Sequence, residues 1–146
     1  MDENVPQNFE NHGRWDPPYH VVAFGILIIN LVWALYAAVS RHSVGDIIYA
    51  LVAFALMIMF FKIRIYSLSV QDRLIRLEMK IRFRDLGLAD MDKRFGEFTM
   101  GQLVGLRFAG DDELGALARK ALDEKITDRK LIKQAVKNWK ADNCRV

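Results

Sequence analysis

A chain of 146 residues with a net charge of +3 has room for one ordinary domain or a small composite of segments. Lysine and arginine are unevenly distributed, because only Arg14 and Arg41 precede Lys62, and this asymmetry bears on membrane topology more than on the charge of a substrate. The single cysteine, Cys144, excludes an internal disulfide and fits a reducing compartment.

Residues 1–18 form a polar N-terminal tail, in which Gly13 and the three prolines of the chain break any helix. The tail and the residues just after it contain four side chains of metal-ligating types: Glu10, His12, Asp16 and His20. Steps of four residues would align such ligands only on a helix, which the prolines oppose, so we predict no metal site.

Two apolar runs, 20–39 and 44–61, follow this tail and are separated by a short polar turn. The first run contains 20 residues, about 30 Å of helix, which matches the hydrocarbon core of a bilayer. We therefore predict a transmembrane hairpin over residues 19–61. Two buried helices of a soluble protein are the alternative, but so short a chain has too little other apolar surface to cover them. A cleaved signal peptide fits the first run less well than a retained anchor, because the preceding segment is acidic and the run is long.

Basic residues are dense directly after the second run, whereas the turn between the two runs carries only Arg41. The positive-inside rule therefore predicts that Lys62 onward lies in the cytoplasm, that the turn faces outward, and that both termini are cytoplasmic. We expect a multi-pass protein of a cytoplasmic membrane. Its partners would be the bilayer itself and anionic lipid headgroups close to the basic residues.

Both runs carry small residues at steps of three and four, which allows close packing of helices in lipid. These faces are Ala23, Leu27, Asn30, Ala34 and Ala37 in the first run and Asp46, Ala50, Ala53 and Met57 in the second. Asn30 and Asp46 are the candidate intramembrane polar residues. They either line a path in a homo-oligomeric transport protein, or Asn30 forms an interhelical hydrogen bond within the hairpin or between copies. We favour the hydrogen bond, since polar groups mark a pathway mainly where ionisable groups accompany them.

Residues 62–86 contain neither proline nor glycine and predict a cytoplasmic stalk, which continues the second transmembrane helix and stops at Gly87. A heptad pattern runs along one stripe of this segment: Ile63, Ser67, Val70, Leu74, Leu77 and Ile81. A second stripe widens the apolar face: Leu68, Ile75, Met79 and Phe83. Two alternatives stay open, a parallel coiled coil between copies or a scaffold on which the C-terminal helices pack. The width of the apolar face favours the scaffold or a mixture of both.

Residues 87–146 predict a small C-terminal domain of three helices. Such a domain would be only marginally stable alone, so we expect it to pack against the stalk. Its first helix is predicted over 100–109. Thr99 and Gln102 have the spacing of a capping box, in which each side chain satisfies a backbone amide of the other residue.

Asp111 or Asp112 is expected to cap the second helix of this domain. The apolar face of that helix is predicted from its spacing: Leu114, Leu117, Ala118, Ala121 and Leu122. Thr127 is expected to cap the third helix, which we predict as an amphipathic helix over 128–141.

The sequence of the C-terminal domain contains no recognisable catalytic or cofactor-binding motif. No histidine follows His42, which excludes a His-based triad there, and the sequence has no Gly-rich phosphate loop and no Cys/His zinc spacing. The acidic run Asp111–Glu113 could bind a divalent cation, but helix capping explains the same residues. We therefore predict a non-catalytic protein without a cofactor or a metal.

Two sets of residues are the candidate interaction surface. The first is Arg107 and Phe108, and the second is a basic stripe on the last helix: Lys130, Lys133, Lys137 and Lys140. Such a stripe can bind lipid headgroups, nucleic acid or an acidic partner. The domain has 12 basic and 10 acidic side chains, and a net charge of only +2 disfavours nucleic acid.

Four stretches together carry a resemblance to a known family: Gln7–His12, Gln71–Arg73, Gln102–Ala109 with the acidic run after it, and Ile132–Trp139. With these motifs in this order, the chain resembles an uncharacterised bacterial family of short two-span membrane proteins, a domain of unknown function. The resemblance implies a bacterial cytoplasmic membrane protein. It brings no activity, ligand or catalytic residue.

The predicted fold is all-α, with a transmembrane hairpin, a second helix extended into a stalk, and a small C-terminal helical domain. The leading functional hypothesis is a membrane-anchored, non-catalytic interaction or scaffold module with an unknown protein partner. The alternative is a homo-oligomeric transport or channel-type protein that uses Asn30 and Asp46.

Overall fold

The computed structural model describes residues 8–9 and 16–141. The secondary structure of these residues is helical, apart from a single bridge between Ala109 and Trp139, so the predicted all-α fold is confirmed. The chain divides into two compact units, and the division falls between Leu68 and Ser69, inside the segment predicted as a stalk. We describe the first as the hairpin unit and the second as the helical unit.

The elements follow one another with short connections. A π-helical turn, Pro18–Ala23, leads into α1 (Phe24–Arg41), and α2 (Val44–Asp85) is 42 residues long. The remaining elements are α3 (Ala89–Lys93), a 3-10 turn (Phe95–Glu97), α4 (Met100–Leu106), α5 (Leu114–Asp123) and α6 (Arg129–Ala135). The three predicted C-terminal helices are present, and α3 with the 3-10 turn is an addition to them.

The hairpin unit contains two helices that are long enough and apolar enough to span a membrane, Pro18–Arg41 and Val44–Asp85. Only 11% of the most apolar window of each helix is buried, whereas a core helix of a soluble protein would be covered by other elements. The first helix begins at Pro18, slightly before the predicted span. Proline is tolerated there because backbone N–H groups in the first turn of a helix have no carbonyl partner within the helix. The N–H group that proline lacks would therefore form no helical hydrogen bond.

Small residues hold the two helices of the hairpin unit together. Ala34 and Ala37 of α1 and Ala50 and Ala53 of α2 are buried, as the spacing predicts. In lipid, such residues allow the backbones to approach closely, which maximises van der Waals contact. The helix α1 ends at Arg41, and the φ of 53° at His42, the next residue, produces the left-handed turn into α2.

Aromatic contacts secure the open end of the hairpin. The Tyr19 hydroxyl donates a hydrogen bond to the carbonyl oxygen of Phe60 at 2.9 Å, and the two rings stack with centroids 4.3 Å apart. The ring of Phe24 lies 5.7 Å from that of Phe60. Together with the alanine contacts, these interactions fix the register of α1 against α2.

The helical unit packs its short helices on one face of the second half of α2. Ile75, Met79 and Phe83 of α2 are buried in its core. Phe83 forms an aromatic cluster with Phe95 and Phe98, at centroid distances of 5.9 and 5.6 Å. The predicted apolar face of α5 is buried as expected: Leu114, Leu117, Ala118, Ala121 and Leu122.

Several local signals place the helix ends correctly. Gly87 follows the end of α2 with a φ of 66°, a conformation that costs glycine nothing. The capping box is formed, since the Thr99 hydroxyl accepts from the Gln102 amide at 3.2 Å and Gln102 Oε1 accepts from the Thr99 amide at 2.8 Å. The side-chain Nε2 of Gln102 also donates to the Ala121 carbonyl oxygen, which links α4 to α5.

Two predicted caps are wrong. The helix α5 begins at Leu114, and no side chain caps its first residue. Asp111 is engaged by Arg82 and Asp112 by Asn138, so neither carboxylate is directed at the start of α5. At α6, the cap is Asp128 rather than Thr127, and its carboxylate accepts from the Lys130 amide at 2.7 Å.

The last helix is shorter than predicted, because α6 ends at Ala135 instead of residue 141. Val136 adopts an extended conformation, and the amides of Lys137 and Asn138 then donate to the carboxylate of Glu113 at 3.1 and 2.9 Å. The Glu113 carboxylate accepts hydrogen bonds from these two amides in place of the backbone carbonyl oxygens that would accept them in a longer α6. A contact distant in sequence therefore ends the helix.

Candidate interaction surface on helix α2

One apolar stripe of α2 remains exposed within the helical unit. We call it the seam and define it as Val70, Leu74, Leu77 and Ile81. Their exposed fractions are 67%, 53%, 56% and 48%. Four large aliphatic side chains in a continuous row are a costly surface to leave in water, since each buried methylene is worth about 0.8 kcal/mol.

The opposite face of α2 is the one that the C-terminal helices cover. Ile75, Met79 and Phe83 are 4%, 2% and 0% exposed. Of the predicted second stripe, only Leu68 stays exposed, at 40%. The sequence left open whether the stalk pairs with a second copy or serves as a scaffold for the C-terminal helices. Among the described residues, the second stripe packs in the core of those helices and the heptad stripe does not.

Charged residues flank the seam on both sides, in an order that the heptad register explains. If Leu74 is assigned to position a of the heptad, Arg73 occupies a g position and Glu78 occupies an e position. One heptad later, Lys80 occupies the g position and Asp85 the e position. Among the described residues, no ion pair involves any of these four side chains. These four residues were not among the candidate site residues predicted from the sequence, although the heptad register already assigns their positions.

A cleft adjoins the basic side of the seam, between α2, α3 and the 3-10 turn. It is a shallow, open depression of about 550 Å³, and four cationic side chains line it: Arg73, Arg76, Lys80 and Lys93. The single acidic residue in its lining, Asp92, is paired with Arg84 at 3.2 Å. The ring of Phe95 forms part of the wall, and the Arg76 guanidinium lies 5.5 Å from its centroid. We call this site the basic cleft.

Most arginines elsewhere in the helical unit serve the fold. Arg82 donates to Asp111 at 2.7 Å and also to the carbonyl oxygens of Arg107 and Ala109. This hydrogen bond from Arg82 lowers the pKa of Asp111 from its ordinary value. The guanidinium thereby ties the segment after α4 to the end of α2.

Two further arginines, Arg119 and Arg94, form ion pairs within the helical unit. Arg119 donates to Asp90 at 2.6 Å, which lowers the pKa of Asp90 and raises that of Arg119. Arg94 pairs with Glu97 and Asp123, and these hydrogen bonds raise the pKa of Arg94. These arginines differ from the cations of the basic cleft, for which the described residues contain no ion pair.

The prediction that Phe108 lies on the surface is wrong, because its side chain is fully buried. The helix α4 ends at Leu106, and the turn after it directs the ring of Phe108 against Trp139, with centroids 4.9 Å apart. The Phe108 carbonyl accepts from the Lys140 amide at 2.8 Å. Arg107 is half-buried, with its guanidinium 4.7 Å from the centroid of the Phe108 ring.

The predicted lysine stripe does not form, since its members do not share one helix. Lys133 is only 9% exposed, and its ammonium lies 4.9 Å from the centroid of the Phe108 ring. Lys137 and Lys140 follow the end of α6, and the ammonium of Lys140 lies 3.5 Å from Asp111. Lys130 alone of the four is an exposed residue within the helix.

The two polar residues predicted to lie within the membrane, Asn30 and Asp46, both have partners in the hairpin unit. The side-chain amide of Asn30 donates a hydrogen bond to the Tyr49 hydroxyl on α2. Asp46 lies 3.8 Å from Arg41 across the turn. The interhelical hydrogen bond is the one that the sequence analysis favoured, whereas the transport role of Asn30 and Asp46 stays a prediction.

The described residues contain no cluster of three or more His, Cys, Asp or Glu side chains that could hold a metal ion. Of the predicted tail candidates, Glu10 and His12 lie outside the described part of the chain, and so does Cys144. The acidic run Asp111–Glu113 is engaged by Arg82, Asn138 and backbone amides.

The fold and the exposed seam define an all-α protein with two candidate membrane spans and a helical unit built on the end of the second. The chain belongs to a family of unknown function, DUF6526, whose model matches residues 1–146. The comparison with curated proteins found no match, and the comparison with solved structures found none either.

Proposed function

We propose that the protein is a membrane-anchored, non-catalytic interaction module. The hairpin unit would hold the chain in the bilayer, and the helical unit would present the seam to a protein partner. The observation that carries this proposal is the exposure of Leu74, Leu77 and their neighbours on a helix segment whose opposite face buries Ile75, Met79 and Phe83. A row of exposed apolar side chains marks an interaction site because burying those side chains against a partner removes them from water, which is favourable.

For its location we propose a bacterial cytoplasmic membrane with both termini in the cytoplasm. The dense basic residues after the second span support this orientation, since the turn carries only Arg41. The test uses the Cys144→Ser background and a membrane-impermeant maleimide. Ser43→Cys is expected to react in intact cells, whereas Lys120→Cys is expected to react only after permeabilisation. The reverse pattern would contradict the orientation.

Site-specific photocrosslinking in native membranes tests the interaction role. A benzophenone amino acid in place of Leu77 is expected to give a protein adduct, because the seam is where a partner would bind. The same probe in place of Lys120, which is exposed on α5, is the matched control and is expected to give none. Absence of a protein adduct at Leu77, or equal adducts at both positions, would overturn the proposed function.

The basic cleft supports anionic lipid headgroups as a further partner. Its cations lack acidic partners among the described residues, and a phosphate would satisfy several of them at once. Native mass spectrometry of the protein in phosphatidylglycerol nanodiscs is expected to show retained lipid that Lys93→Gln and Arg76→Gln reduce. Lys120→Gln is the control, since this lysine lies outside the cleft. Equal lipid retention in all variants would contradict this part of the proposal.

A further inference from the structure

We propose that the partner of the seam is a second copy of this chain, and that the two copies form a parallel, in-register, two-stranded coiled coil over Val70–Asp85. This inference deepens the proposed function, because it names the partner of the surface on which that function depends. It rests on four observations: the spacing of the seam, its exposure, the charges that flank it and the occupation of the opposite face.

The spacing of the seam is that of a heptad repeat. Val70, Leu74, Leu77 and Ile81 follow one another at steps of four, three and four residues, which places Leu74 and Ile81 at a positions and Val70 and Leu77 at d positions. The next d position is Arg84, which pairs with Asp92 at 3.2 Å, so the apolar core of the coil ends at Ile81. Such side chains insert between those of a second helix that carries the same repeat. An identical chain supplies that repeat in the same register.

The flanking charges are complementary to those of an identical, parallel helix. In a parallel pair, a g residue faces the e residue five positions later on the other chain. Arg73 would therefore face Glu78 of the second copy, and Lys80 would face Asp85 of the second copy. Each of these pairs occurs twice in a symmetric dimer, so the interface would contain four attractive contacts.

An antiparallel pair would bring like charges together. In that arrangement g positions face g positions and e positions face e positions, so Arg73 and Lys80 would meet the same basic residues of the second copy. Glu78 and Asp85 would meet acidic residues in the same way. The charge order therefore selects the parallel arrangement, which two copies inserted with the same topology also require.

The helical unit does not need the seam for its own fold. Its core contacts α2 through Ile75, Met79 and Phe83, on the face opposite the seam. A partner helix can therefore dock without displacing any core residue. Substitutions in the seam should alter association while leaving the unit folded, which makes the inference testable by mutation.

The membrane favours pairing through so short a coil. Val70–Asp85 spans about two heptads, which is marginal for a two-stranded coiled coil free in water. Anchoring both copies in one bilayer raises their effective concentration and removes part of the cost of association. The inference therefore applies to the full chain in a membrane, and its test uses that form.

Disulfide trapping provides the first test, in the Cys144→Ser background and in native membranes. Leu77→Cys places a thiol at a d position, where the two copies of a parallel coil approach within disulfide distance, so a covalent dimer is expected on mild oxidation. Asp72→Cys is the control, because its f position lies on the far side of the helix from the seam. Failure of Leu77→Cys to form the dimer, or equal dimer from Asp72→Cys, would overturn the inference.

Charge exchange provides the second test and is specific for the parallel register. Glu78→Arg would place like charges at the two symmetry-related contacts with Arg73 and is expected to lower the dimer fraction in nanodiscs by about threefold or more. Adding Arg73→Glu in the same chain restores opposite charges and is expected to restore the dimer. A double variant that is as weak as Glu78→Arg alone would contradict the predicted pairing.

The outcomes separate this inference from the proposed function. A photocrosslinked adduct at Leu77 with the mass of two chains supports both. An adduct with a different protein, together with no disulfide dimer from Leu77→Cys, retains the interaction role and overturns pairing with a second copy. The lack of any protein adduct at Leu77 overturns both.

Discussion

Leu77 and Met79 lie two residues apart on α2, yet 56% of Leu77 is exposed while Met79 is 2% exposed. Two residues correspond to about 200° around a helix, so the two side chains point in nearly opposite directions. The C-terminal helices cover the side of Met79 and leave that of Leu77 uncovered. One helix thus combines a core face with a face suited to a partner.

This division predicts that the two faces respond differently to truncation. Phe83→Ala, on the buried face, is expected to lower the free energy of unfolding of the helical unit by about 3–5 kcal/mol, because it leaves a cavity in the core. Leu77→Ala is expected to change it by less than about 0.5 kcal/mol. Hydrogen exchange of α4 and α5 in detergent measures both. A large loss of protection with Leu77→Ala would contradict the assignment of the two faces.

The close approach of α4 and α6 predicts a severe effect at Gly105. A Cβ there would lie 2.8 Å from Cγ2 and 2.9 Å from Cβ of Ile132, closer than such atoms pack. Gly105→Ala is therefore expected to destabilise the helical unit by about 1–3 kcal/mol through overpacking. Gly96→Ala is the matched control, since a Cβ at Gly96 meets nothing within 4 Å. Thermal unfolding compares the two variants, and equal melting temperatures would refute the predicted clash.

Arg82 is expected to be the most important charged residue for the helical unit. Its side chain is 14% exposed and donates to Asp111 and to two backbone carbonyls. Arg82→Met leaves these acceptors without their donor, and we expect a loss of about 1–3 kcal/mol in the free energy of unfolding. Arg73→Met removes an exposed cation of the same helix and serves as the control. A similar, small effect of both variants would contradict the structural role of Arg82.

The lowered pKa values of Asp90 and Asp111 predict acid sensitivity of the helical unit. Both carboxyls have folded-state pKa values below their ordinary 3.8, so the unfolded chain binds protons first as the pH falls. The stabilisation is complete above the unfolded value and is lost as the pH falls through the lower folded values. Unfolding followed from pH 6 downward is expected to show stability falling near pH 3.8, with a shallower decline in Arg82→Met. An unchanged slope in that variant would contradict the pairing of Arg82 with Asp111.

The hydrogen bond between Asn30 and Tyr49 predicts coupling within the hairpin unit. In a double-mutant cycle with Asn30→Leu and Tyr49→Phe, we expect an interaction energy of about 0.6–2 kcal/mol, measured by unfolding in mixed detergent micelles. If Asn30 instead lines a path, Asn30→Leu would alter conductance in planar bilayers, and the cycle would show no coupling.

Local sequence signals were sufficient for much of this fold. The length of α2, its stop at Gly87 and the capping box of Thr99 all depend on neighbouring residues, and each is present. The apolar face of α5 follows from periodicity alone. These features could be predicted because the interactions that create them span only a few positions in the chain.

The ends of α5 and α6 depend on contacts that no local pattern contains. Glu113 binds amides 24 and 25 residues away, and Arg82 engages Asp111 across 29 residues. These long-range bonds end α6 early and divert the acidic run from capping. The candidate site was predictable in part, since the heptad spacing identified the seam, but only the folded unit shows which stripe remains exposed.

The most direct test of the interaction role is native mass spectrometry after gentle extraction of the tagged full chain from its membrane. Wild-type protein is expected to appear as an assembly with the mass of two chains, in which the partner of each chain is a second copy. The variant Leu74→Asn/Leu77→Asn is expected to appear as a single chain with unchanged helicity, because it alters the seam and leaves the core face intact. Bare single chains for both proteins, or an identical assembly that survives in the variant, would contradict the account.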